Sequence, residues 1–79
     1  MKYSVIGGQY RFINYGSFPT IRDAKICAMD HEEYWDNWEG WHTPAVYLTS
    51  TLTDGYPTER SECVAQRVGK RWVNPSKML

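Results

Sequence analysis

The chain has 79 residues, 42% hydrophobic and 15% aromatic, with nine basic and nine acidic side chains that cancel to a net charge of zero. A single domain of this size buries only about 60–65% of the surface its unfolded chain exposes, so one small core is expected. This composition excludes intrinsic disorder, a membrane-spanning run of ~20 apolar residues, and a polyanion binder held by net charge alone.

Tyr3-Ser4-Val5-Ile6 is short, β-rich and closed by Gly7-Gly8. Gln9 to Tyr15 then alternates, with Tyr10, Phe12 and Asn14 on one face, so the two segments read as a hairpin or a kinked strand, stopped by Gly16-Ser17-Phe18-Pro19. Thr20 followed three residues later by Asp23 gives a helix start, the hydroxyl accepting from an otherwise orphaned amide. Ile21, Ala24, Cys27, Ala28 and His31 share one face of that helix, which ends between Met29 and Tyr34. Arg22, Lys25 and Met29 fall away from this face.

Tyr34 to Thr43 holds Trp35, Trp38 and Trp41 at a spacing of three. A helix would set them in one stripe; a loop would make them an irregular cluster. Ala45 to Leu52 is the clearest strand, Asp54-Gly55 supplies a turn, Arg60 to Val68 is a further strand, and Gly69-Lys70 turns the chain into Arg71-Trp72-Val73-Asn74. Residues 75–79 read as a loose tail. The class is α+β, an antiparallel sheet of four to five strands with one helix packed on one face, in the order β(β)-α-β-β-β over a single domain, 1–79.

Charge is segregated beneath the zero total. Residues 1–25 carry +3 (Lys2, Arg11, Arg22 and Lys25 against Asp23). Residues 26–59 carry −7 with no Lys or Arg, and residues 60–79 carry +4 (Arg60, Arg67, Lys70, Arg71 and Lys77 against Glu62). Such asymmetry points to charged partners.

Chemistry-bearing patterns are few. No G-x-S-x-G, H-E-x-x-H or phosphate-cradling glycine loop is present, and a chain this short has little volume for a desolvated pocket, so a non-enzyme without cofactor is expected. Asp30, Glu32, Glu33, Asp36 and Glu39 lack the spacing of a calcium loop and read as a solvated anionic face or a patch that meets a basic surface. Cys27, His31, His42 and Cys63 lack the paired spacing of a zinc module, so no metal is assigned, and the two cysteines read as reduced and buried in a cytoplasmic protein. Trp35, Trp38 and Trp41 beside Asp36 and Glu39 have the make-up either of core closure or of a protein-binding hot spot. Interleaving with carboxylates has the wrong sign for nucleic acid. Direct nucleic-acid binding would instead use the basic ends, Arg11, Arg60, Arg67, Lys70 and Arg71, with Tyr10 and Phe12 as stacking rings.

The N-terminal strand pair, the helix start Thr20-Ile-Arg-Asp-Ala-Lys-Ile-Cys-Ala28 and the closing strand Gly69-Lys-Arg-Trp-Val-Asn74 together resemble the small phage- and prophage-encoded anti-CRISPR proteins of type I systems. That resemblance covers about a quarter of the chain, and Tyr34–His42 departs from the pattern. It implies a non-catalytic inhibitor in the bacterial cytoplasm that binds the Cas7 backbone of a Cascade surveillance complex and blocks its DNA path. Arg22 and Lys25 are the matching positions that would make the contact, with the Trp35, Trp38 and Trp41 cluster as the other candidate.

Overall fold

The computed structural model describes residues 1–8, 11–35 and 40–75; of 33–35 and 40–42 it is the backbone pairing that is described. Strand β1 (Tyr3–Gly7) pairs with β2 (Ile13–Phe18), and helix α1 (Ile21–Asp30) follows. A short ribbon, β3 (Glu33–Trp35) with β4 (Gly40–His42), precedes β5 (Ala45–Leu48), a 3-10 turn at Thr49–Thr51, β6 (Cys63–Val68) and β7 (Arg71–Val73). The main sheet runs β2-β1-β5-β6-β7, antiparallel throughout, with β3–β4 a separate pair. The expected α+β class with one helix on a sheet is what the chain adopts.

Helix α1 begins where the residues dictate. Thr20 sits in extended backbone and its Oγ1 accepts from the Asp23 amide at 3.0 Å. Ala24 and Ala28, one turn apart, are fully buried against Val5, Val46 and Ala65. Their small side chains let the helix approach the sheet closely. The helix packs mainly over β1, β2 and β5, and Tyr3, Phe18, Leu48 and Trp72 close the margins of the core.

The connection between β5 and β6 is tied back to the sheet by hydrogen bonds. Asn14 Nδ2 donates to the Gly55 carbonyl at 2.7 Å, tying the tip of that connection to β2. The tip is a two-residue turn in which Asp54 (φ 53) and Gly55 (φ 84) both take positive φ, between the paired residues Thr53 and Tyr56. Two positive φ values in succession define the type I′ turn, which favours Asp-Gly. Beneath it Ser4, wholly buried, shares hydrogen bonds with Ser17 Oγ (2.9 Å) and Thr49 Oγ1 (2.6 Å). Ser4→Ala removes the hydroxyl that joins the other two and should lower the unfolding free energy by about 1–2 kcal/mol, read from urea melts.

Several local expectations are corrected. The second strand starts at Ile13, not Gln9, and it runs through Gly16 to Phe18 instead of stopping there. Gly16, at φ 131, makes a bulge: Val5 pairs with Gly16 and Ile6 with Asn14, leaving Tyr15 as the extra residue. Phe12 precedes that strand and is 56% exposed, not an inward-facing strand residue. The strand expected to reach Leu52 ends at Leu48, because Thr51 Oγ1 bonds the Leu48 carbonyl at 2.6 Å and the backbone closes into the 3-10 turn. In β6, Val64 and Ala65 are both buried, where alternation would place them on opposite faces; the register shift against Val46 and Tyr47 accounts for this. Trp35 and Trp41 lie in paired strands, neither a helical stripe nor a loop: Trp35 pairs with Gly40, and Trp41 with Tyr34.

Candidate interaction surface

The spacing that buries Ala24 and Ala28 turns Arg22, Lys25, Ile26 and Met29 outward along α1. Ile26 is 50% and Met29 37% exposed, a large apolar fraction for a helix whose inner side is already packed. Next to this stripe stands Trp72 of β7. Its cross-strand partner is Arg67 of β6, so the two side chains are direct neighbours on one face of the sheet. Lys25 Nζ lies 5.6 Å and Arg67 Cζ 5.7 Å from the centre of the indole ring. Two cations on one ring are attracted by its quadrupole, each by about 0.5–1 kcal/mol at a partly exposed site. Between α1 and Trp72 runs a groove of about 550 Å³, lined by Ile21, Ile26, Met29 and Trp72 and flanked by Arg22, Lys25 and Asp30.

The sequence offered Arg22 and Lys25 for a protein partner and Arg67, Lys70 and Arg71 for nucleic acid. The fold brings one member of the second set, Arg67, beside Lys25 of the first. Arg67 reaches the ring that Lys25 also covers, and Lys70 and Arg71 continue from the turn between β6 and β7. Arg11 lies in the turn between β1 and β2, and Arg60 lies in the Thr58–Ser61 turn, tied to Thr51 beyond the other end of β5. The five basic residues first grouped for nucleic acid are therefore not one patch. Phe12, Arg67 and Lys70 do border a second groove of about 820 Å³ at the Gly7 and Gly69 end of the sheet. Tyr10 lies outside the described residues, as do Asp36, Trp38 and Glu39, and for Trp35 and Trp41 only the backbone pairing is described.

Trp72, Ile26 and Met29 were not singled out as contacts by the sequence. The outward apolar pair at 26 and 29, one turn after Arg22 and Lys25, was the available signal. That Trp72 would stand beside them was not, because it lies 47 positions after Lys25 and only the sheet order brings them together.

Cys27 and His31 are neighbours on α1, with Sγ 3.6 Å from Nδ1. His31 Nδ1 also lies 3.0 Å from the Cys27 carbonyl, and its ring stacks on Tyr15 with centroids 4.3 Å apart. Cys63 pairs in register with Tyr47 on β5, away from that helix. Among the described residues no group of three or more His, Cys, Asp or Glu is placed to hold a metal ion. Burial raises the Cys27 thiol above its ordinary 9.0, with the Asp30 charge adding to the effect. Burial also raises Tyr47 above 10.0, helped by Cys63, and raises Cys63 against an opposing backbone hydrogen bond at Ala65.

A group whose folded pKa is raised contributes stability that is present below its unfolded pKa and lost as pH climbs through the folded one. The window here opens at the ordinary thiol and phenol values of 9.0 and 10.0. The melting temperature should therefore be insensitive to these three groups at neutral pH and fall above about pH 9. Tyr47→Phe should make that fall shallower. A melting temperature flat from pH 8 to 11 would contradict the assignment.

No family model matches the chain, and neither a curated protein nor a solved structure is similar to it. The fold places it as a one-helix α+β domain on a five-stranded antiparallel sheet. Among the described residues no helix is long and apolar enough to cross a membrane.

Proposed function

We propose that the chain is a non-catalytic inhibitor that acts by protein–protein contact, and that the α1–β7 surface makes the contact. The observation that carries this reading is the apolar groove of Ile26, Met29 and Trp72 flanked by Arg22, Lys25 and Asp30, with Arg67 against the Trp72 ring. An aromatic anchor with arginines around an apolar centre is the composition of binding hot spots. A small domain can block a much larger assembly with one such patch, because affinity follows anchor quality more than area.

The target we assign is a host CRISPR–Cas surveillance complex of the Cascade type, met at its Cas7 backbone in the bacterial cytoplasm. In support, the helix start and the closing strand that resemble type I anti-CRISPR proteins lie side by side, Lys25 of the first against Trp72 of the second. The test is a gel-shift of target DNA by purified Cascade with increasing amounts of the chain. Stoichiometric loss of the shifted band supports the reading, with the chain recovered on immobilised Cascade. An undisturbed band at tenfold excess overturns it.

A second reading, direct nucleic-acid binding, draws on Arg67 and Lys70 with Phe12 at the second groove. Filter binding across a salt series separates the two, since phosphate neutralisation gives affinity that falls steeply with salt. The aliphatic floor of the α1–β7 groove favours the protein partner.

A further inference from the structure

We infer that the occupant of the α1–β7 groove is an amphipathic α-helix of the partner, with carboxylates beside an apolar stripe; this rests on the protein-contact reading above. The argument begins with widths. Five strands spaced about 4.8 Å apart span about 19 Å, whereas one helix with its side chains is about 10 Å across. Helix α1 packs mainly over β1, β2 and β5, at one side of the sheet. The strip of the same face over β6 and β7 carries no helix of this chain among the described residues. It presents Trp72 and Arg67, and Ile26 and Met29 form the neighbouring wall on α1.

A two-layer α+β domain with a wider helical layer would set a second helix there, about 8–10 Å from the first. Here no helix among the described residues takes that place. Its chemistry specifies what fits. The apolar floor calls for residues spaced three and four apart, as one helical stripe supplies. Arg22 and Lys25 stand along the α1 edge of the groove, with Asp30 the one acidic residue of its lining, and Arg67 of β6 adds a cation against the Trp72 ring. A helix with glutamates beside its apolar stripe complements these cations. Duplex or single-stranded nucleic acid would satisfy the cations but leave Ile26 and Met29 facing phosphate and sugar.

The probe is a synthetic, end-capped 18-residue peptide with leucines in one helical stripe and glutamates on each side of it. Three controls accompany it: the same peptide with lysines for glutamates, the same with a central proline, and a single-stranded 18-mer oligonucleotide. Binding to the full chain is followed by calorimetry and by backbone amide shifts. Expected is binding of the glutamate peptide at least tenfold tighter than any control, with shifts confined to α1 and β6–β7. R22E with K25E should abolish it. Equal binding of the proline peptide would overturn the helical form in favour of strand addition at β7, and tighter oligonucleotide binding would overturn it in favour of nucleic acid. A dimer of the chain alone, seen in the ultracentrifuge and dissolved by K25E, would make the occupant a second copy and overturn it too. Absence of peptide binding would also defeat the helical occupant. If Cascade is nonetheless inhibited, and R22E with K25E relieves the inhibition, the surface and its target stand while the occupant's form is wrong. If the peptide binds but Cascade is untouched, the target is wrong and this inference stands.

Discussion

On the proposed inhibitor reading, Arg22→Glu combined with Lys25→Glu should abolish inhibition while leaving the melting temperature within a few degrees of the parent. Each change removes a cation from the rim of the groove and sets an anion in its place. Like charges brought together across an interface cost several kcal/mol, and about 3 kcal/mol already corresponds to a loss of affinity of about 100-fold. Stability is affected far less. Arg22 is exposed in the first turn of α1, where an acidic residue suits the positive end of the helix dipole and contributes about 0.3–1 kcal/mol. That gain offsets the lost attraction between Lys25 and the Trp72 ring, of about 0.5–1 kcal/mol. The check is a DNA gel-shift with Cascade beside a thermal melt of the double variant. Full inhibition by a folded double variant would remove this surface from the mechanism.

Ala24→Leu should act in the opposite sense, lowering stability steeply without touching the outer face. Ala24 has no exposed surface and sits where α1 meets Val5 and Val46. Three added carbons have no space, so the helix must lift from the sheet or its neighbours must leave their rotamers, at about 1–3 kcal/mol. A domain of this length has about 4–12 kcal/mol in total. The melting temperature should fall by about 10 °C, given about 4–8 °C per kcal/mol in domains of this size. Ala24→Gly gives the contrast: it overpacks nothing, so its loss should stay at about 1–2 kcal/mol, the helix-propensity difference plus the burial of one methyl. If leucine proves no worse than glycine, the helix–sheet contact is looser than these burials indicate.

The two variants together separate what positions the surface from what the surface touches. Ala24 and Ala28 set the height of α1 above the sheet, and thereby the depth of the groove beside Trp72. Arg22 and Lys25 are displayed by that helix and support it only weakly, through the Lys25 contact with the Trp72 ring.

Local rules were enough to locate much of this. The Thr20 cap and the apolar spacing from Ile21 to Ala28 depend on contacts within four residues, so the helix, its start and its buried side could be read directly. The Asp54-Gly55 turn could be read for the same reason, since two consecutive positive φ values leave few residue choices. Tertiary structure decided the rest. Gly16 looked like a strand terminator, yet pairing with Val5 on β1 carries the strand through it as a bulge. The buried pair Val64 and Ala65 breaks the two-residue period because β6 shifts register against β5, which no local pattern encodes. The surface itself belongs to this second kind. Arg22 and Lys25 were visible as outward residues of a helix, but their union with Arg67 and Trp72 follows from β7 lying at the sheet edge beside β6. Strand order is set by which apolar faces can be buried together across long sequence separations, so only the folded chain brings those four side chains to one place.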